Sequence, residues 1–209
     1  MGGTYRPTLP VYSSCIPGGS SEKQVQQLEG TLLYDAHGAF DLNDTIRFAH
    51  FLQELGNVEW FEDTSGYARL TEAKPGLRIA MGETECNRYT ARDRLLTRQC
   101  DIFLSDVCRA GSISETMRIA QLADTFGLLW ASHVSISTPL HLGAATPNFL
   151  VCEYPTSFDD SPIGKALCTD SPVPKDGAIE VTDAPGLRVS LDEAQVERLT
   201  VLSANRTTH

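Results

Sequence analysis

The 209-residue sequence predicts an α/β fold, a parallel (β/α) barrel, on three observations. Short apolar runs alternate with amphipathic helical stretches about every 20–27 residues, the signature of strands joined by helical crossovers. No GxGxxG or P-loop motif is present, which counts against a nucleotide-binding doubly wound sheet. Six consecutive strand ends carry an ionisable side chain: Asp35, Glu62, Glu83, Asp106, His133 and Glu153. Catalytic groups of (β/α) barrels stand at the C-terminal ends of the strands.

Taken in order, the first strand is Leu9 to Ser14, followed by a turn at Pro17-Gly18-Gly19 and a polar helix over Ser21 to Leu28. TLLYD is a strand ending at Asp35. Asp41 caps a helix with apolar positions at Leu42, Ile46, Ala49, Leu52 and Leu55, and Gly56 stops it. Val58 to Phe61 is a strand ending at Glu62. A short helix near Tyr67 to Ala73 leads through Pro75-Gly76 to the strand RIAM and then Gly82-Glu83. Arg88 to Arg98 is helical. The strand Ile102 to Leu104 ends at Asp106, and Ser112 with Glu115 has capping-box spacing. Ile113, Met117, Ala120 and Ala123 line one face of the helix that follows, and Gly127 ends it. The strand Leu128 to Ala131 ends at His133. A helix over Pro139 to Ala145 precedes NFLVC, a strand ending at Glu153, which makes seven strands of the barrel type. Beyond Pro155 the chain turns rich in Pro, Asp and Ser, with a hairpin near Ala178 to Val189 and a last helix near Leu191 to Leu202. One domain over residues 1–209 is expected: a tail over 1–8, the barrel over 9–155 and a C-terminal extension over 156–209.

The formal charge of −10 excludes a nucleic-acid or anionic-membrane surface as the expected partner. No apolar run approaches the roughly 20 residues that span a bilayer, and the N-terminus lacks a signal-peptide core, so a cytoplasmic location is expected. The six cysteines form no CxxC pair and read as buried reduced thiols. Two glycosylation sequons, Asn43-Asp44-Thr45 and Asn205-Arg206-Thr207, read as accidental without a secretory signal.

An acid after a strand often only caps the next helix, and a single histidine is more often packed than catalytic. The series carries the argument. Acids crowded at one rim repel one another, and a hard divalent cation relieves that; all-oxygen ligation with waters suits Mg²⁺. Asp106 and His133, emerging side by side on neighbouring strands, would make an oriented general base.

These residues resemble the enolase superfamily, specifically the mandelate racemase/muconate lactonizing enzyme family and its mandelate racemase subgroup. The resemblance spans about residues 5–200 and rests on Asp35, Glu62 and Glu83 on successive strands, then Asp106 and His133, then Glu153. The segments AGSISETMRIAQLAD and HLGAATPNFLVCE add to it. It implies that Asp35, Glu62 and Glu83 are Mg²⁺ ligands and that His133 with Asp106 is the acid/base dyad. Glu153 would hydrogen-bond the substrate carboxylate. Mg²⁺ on that carboxylate would stabilise the enediolate left when a His base takes the α-proton. His37, in DAHGAFD, resembles the galactonate-type acid-sugar dehydratases, where this position protonates the departing 3-hydroxyl. The bland alternative is a loop hydrogen bond.

The implied activity is dehydration of an aldonate or aldarate to a 2-keto-3-deoxy acid. A racemase or epimerase of a 2-hydroxy acid is the second reading, and an impaired homologue that only binds metal or partners is the third. The expected partner is a small carboxylate, with a homo-oligomer compatible. His50 and His141 receive no role. Relatives carry an N-terminal capping domain and a Lys-x-Lys strand after the first; neither is found here, and Lys23 is no substitute. One βα unit of the barrel is therefore expected to be missing. The loop from Asp63 to Leu77 is short, with Thr64 where relatives have proline. A barrel lacking one strand must leave a gap, close imperfectly or borrow strand pairing elsewhere.

Overall fold

The computed structural model describes residues 5–14, 30–64, 66–73, 76–134, 137–155 and 167–200. Strands and helices alternate: β1 (Thr8–Ser14), β2 (Leu32–Asp35), α1 (Leu42–Leu55), β3 (Val58–Glu62), α2 (Tyr67–Ala73), β4 (Arg78–Met81), α3 (Arg88–Leu96), β5 (Ile102–Ser105), α4 (Ile113–Thr125), β6 (Leu129–Ser132), α5 (Ser137–Ala144), β7 (Phe149–Pro155), β8 (Ala178–Glu180) and α6 (Glu193–Leu199). They build one eight-stranded sheet in the order β2-β3-β4-β5-β6-β7-β1-β8. All pairings are parallel except β1 with β8.

The sheet curls into a partial barrel. Trp60, Ala80, Ile102, Leu104 and Ala131 form one interior cluster, with Tyr12, Leu33, Leu129, Leu150 and Val151 packed on it, so side chains from β1 through β7 meet inside. Alternation sends the intervening residues outward: Phe61 packs with Phe48 and Leu52 of α1, and Phe103 with Ile119 and Ala123 of α4. The inward phase of β2, β3, β5, β6 and β7 leads to Asp35, Glu62, Asp106, His133 and Glu153.

Among the described residues β2 pairs only with β3, and no described strand joins it to β1. Borrowed strand pairing, one of the three outcomes open to an incomplete barrel, occurs at β1: Thr8, Leu9 and Pro10 pair antiparallel with Glu180, Ile179 and Ala178. This corrects the hairpin expected near Ala178 to Val189. Ala178–Glu180 is a strand, but its partner is β1, whose main-chain groups would otherwise be exposed, and Leu191 bridges to Cys168 instead.

Local signals held where the chain itself supplies the partner. Asp41 accepts from the Asp44 N–H at 2.9 Å, and Gly56 closes α1 in the left-handed region at φ 74°. The buried stripe of α1 runs through Thr45, Phe48, Ala49 and Leu52, rotated from the expected one because Phe48 fills the aromatic cluster with Tyr34 and Phe61. The capping box at α4 does not form. Ser112 makes no side-chain cap, and Glu115 turns to the preceding helix α3, accepting from Arg88 N at 2.9 Å and Arg88 Nη1 at 2.6 Å.

The thiols also differ from expectation: Cys100 and Cys152 are buried, whereas Cys86 and Cys108 are exposed. The polar helix expected over Ser21 to Leu28, together with Cys15, Lys23 and the sequon at Asn205, lies outside the described residues. No helix among the described residues is long and apolar enough to cross a membrane.

Candidate active site

The strand register places the ionisable groups at one rim. Asp35 lies opposite Glu62 in the β2–β3 ladder, and Tyr12 opposite Glu153 in the β1–β7 ladder. Ser105 lies opposite Ser132, so Asp106 and His133 are the next residues along adjacent strands. Glu83 reaches the rim through Gly82. This residue sits at φ 129°, and a Cβ on it would fall 2.2 Å from the Leu104 carbonyl oxygen, so only glycine fits against β5.

His133 is held on both sides. Its Nδ1 lies 2.9 Å from Asp106 Oδ2, and its Nε2 lies 2.8 Å from Glu83 Oε2 as a close charge contact. Burial opposes a charged imidazole, but the carboxylates of Glu83 and Asp106 outweigh it and push the pKa up to about 9. Asp106 is itself fixed by the N–H groups of Cys108 (2.7 Å) and Arg109 (3.0 Å). Burial would raise it, yet these donors and His133 hold it below the usual carboxylate range. Glu83 is likewise held low, chiefly by His133 against the effect of burial, with Arg109 Nη1 at 3.3 Å from its Oε1.

The second histidine stands on the β2 side. His37 follows the strand in the left-handed region (φ 45°), so a turn, rather than strand alternation, directs it. Its main-chain N–H donates to Asp35 Oδ1 and its Nδ1 lies 2.8 Å from Asp35 Oδ2. Burial pushes the Asp35 carboxyl up, opposed by His37. Glu62 is buried, 4% exposed, and its Oε2 accepts from the Trp60 indole N–H at 2.9 Å. Burial, with Asp35 as the foremost charged neighbour, raises its pKa well above the usual value. Glu153 Oε2 accepts from Val134 N at 2.8 Å. His50 is exposed on α1 and His141 half-buried on α5, both away from these contacts.

Asp35, His37 and Glu83 bring donor atoms within 4.8 Å of one another. Glu62 stands apart from this triple, bonded to Trp60. A divalent cation fits the rim on the chemistry of these donors. Glu83 Oε2 is buried without a well-aligned hydrogen bond; the charge of Glu83 raises the cost of ionising Asp35, and the charges of Asp35 and Glu83 raise that of Glu62. Asp35, Glu62 and Glu83 would hold it through oxygen. Three groups at the rim escaped the sequence reading: Arg109, Trp60 and Tyr12. The signal for the last two was present, since Trp60 is two residues before Glu62 and Tyr12 shares the inward phase of β1.

The family model described as Enolase C-terminal domain-like matches residues 22–195. The chain belongs to the enolase superfamily, in the mandelate racemase/muconate lactonizing enzyme family. It is 30% identical over 179 residues to L-rhamnonate dehydratase of Saccharopolyspora erythraea, covering 80% of this chain and 46% of the relative. It thus spans about half the length of that relative. The 3,6-anhydro-D-galactonate cycloisomerase of Zobellia galactanivorans superposes with a TM-score of 0.85 at 22% identity, covering 94% of this chain and 67% of the other. A Streptomyces coelicolor racemase with bound magnesium superposes with a TM-score of 0.81 at 21% identity, covering 95% and 65%.

Proposed function

We propose that this family member is a Mg²⁺-dependent hydro-lyase that dehydrates an acid sugar, an aldonate or aldarate, to a 2-keto-3-deoxy acid. One observation carries the reading: two imidazoles, each bonded to its own aspartate, meet at one cluster, His37 within the Asp35–His37–Glu83 group and His133 against its Glu83. The similarity to a rhamnonate dehydratase supports the substrate class.

Asp106 holds the Nδ1 proton of His133, which leaves Nε2 as the basic nitrogen. His133 Nε2 takes the C2 proton of the substrate, and burial of the imidazole favours its neutral form once Glu83 is engaged elsewhere. His37, oriented by Asp35, donates a proton to the C3 hydroxyl as the C3–O bond breaks, so water leaves. The enol tautomerises, C3 taking a proton, and both histidines return to their starting states by exchange with solvent. Glu153, anchored by Val134 N, would bond the substrate carboxylate. Asp35, Glu62 and Glu83 would hold Mg²⁺, which supplies positive charge to the carboxylate as the α-proton leaves.

The test is incubation with Mg²⁺ and a panel of aldonates and aldarates, scored for 2-keto acid and for deuterium uptake at C2 from D₂O. Keto acid with loss of water is the expected result. Exchange without dehydration would point to a racemase, and a folded protein inert in both assays would point to a non-catalytic family member.

A further inference from the structure

Trp60 has no part in the chemistry above, yet it is the group that holds Glu62. It is fully buried in the barrel interior, two residues before Glu62 on β3, and therefore on the same inward face. Its indole Nε1 donates to Glu62 Oε2 at 2.9 Å. The Tyr12 ring meets the indole nearly at right angles, with centroids 5.5 Å apart and an interplanar angle of 88°. The bond therefore comes from a ring braced by β1 and enclosed by the interior side chains of the other strands.

An indole N–H is a donor with no acceptor lone pair, so it engages one carboxylate oxygen without competing for a cation. Glu62 needs such an anchor, because its charged neighbours include Asp35, Glu153 and Glu83, all acids that repel it. Ligating carboxylates are themselves commonly hydrogen-bonded, and these outer partners orient the ligand.

Resting on the metal reading proposed above, we infer that Trp60 is a positioning residue: its indole N–H fixes one oxygen of Glu62 and so determines how that carboxylate meets a cation held with Asp35 and Glu83. Mere space-filling by a buried indole makes a different prediction, because the effect of Trp60 on metal affinity would then not depend on Glu62.

The experiment is a double-mutant cycle on Mn²⁺ binding, read by the EPR signal of free Mn²⁺, with wild type, Trp60→Phe, Glu62→Ala and the double variant. Trp60→Phe is expected to weaken Mn²⁺ about 10–100-fold. In the Glu62→Ala background, where the indole N–H has no side-chain acceptor at this position, its further effect should stay below about two-fold. Because Phe is smaller and can perturb packing, Trp60 is also replaced by its benzothiophene analogue, which keeps the ring shape and lacks the N–H. That analogue should reproduce the loss. Wild-type affinity in the analogue, or an equal loss from Trp60→Phe in both backgrounds, overturns the positioning role. Failure of the wild-type protein to bind Mn²⁺ at all overturns the metal reading itself, and the inference falls with it.

Discussion

The two Asp–His pairs of the rim are built differently. Asp35 and His37 are two residues apart at the edge strand β2, joined by a turn, and the His37 side chain is 55% exposed. Asp106 and His133 come from neighbouring strands inside the sheet, and the His133 side chain is 13% exposed with a second carboxylate, Glu83, on its other nitrogen. The same two residue types thus give a solvated, locally formed pair and a desolvated, tertiary one. In low dielectric each charge contact is stronger, which is why His133 responds so strongly to its partners.

The largest expected effect removes the tertiary pair. His133→Asn should lower kcat/KM for keto-acid formation by about 10³–10⁴-fold and abolish C2 deuterium exchange, because the nitrogen that takes the proton is gone. Removing the local pair should separate the two half-reactions. His37→Asn should cut dehydration about 10²-fold while leaving C2 exchange measurable. Equal loss of both signals would erase the proposed division of labour between the two histidines.

Protonation should distinguish the pairs next. In the metal-free protein the pKa of His133 is raised, from an ordinary 6.5 to about 9. Its contribution to stability is fully present below about pH 6.5 and is lost as pH rises through about 9. Glu83 and Asp106 are held low, so their contribution is present above the ordinary carboxylate range and lost as pH falls toward acid values. Melting temperature of the metal-free protein should therefore decline between about pH 6.5 and 9, and His133→Asn should flatten that limb. A wild-type curve unchanged over this range would mean that the triad of charges does not form.

The smallest effect concerns the thiols. Burial pushes Cys100 up to about 12 and Cys152 up to about 11, whereas Cys86 and Cys108 are exposed. Mass spectrometry after brief iodoacetamide treatment at pH 8 should find Cys86 and Cys108 alkylated in the native protein, and Cys100 and Cys152 only after unfolding.

The amino-acid sequence alone determined the alternation of strands and helices, the positions at which the strands end, and the row of ionisable residues there. These depend on local periodicity, on Asp41 and Gly56 as helix punctuation, and on family motifs. The same local logic failed at Ser112, where Glu115 found a better partner in Arg88 of another helix. Tertiary structure decided the rest. The antiparallel pairing of β8 with β1 answers an unpaired edge that no local pattern encodes, and the Glu83–His133 contact depends on β4, β5 and β6 lying in register. The bond that holds Glu62, from a buried indole that Tyr12 meets across the barrel, is likewise tertiary. A strand's alternation says which side a side chain faces, whereas which oxygen it offers, and to what, is settled only by the neighbours that curl around it.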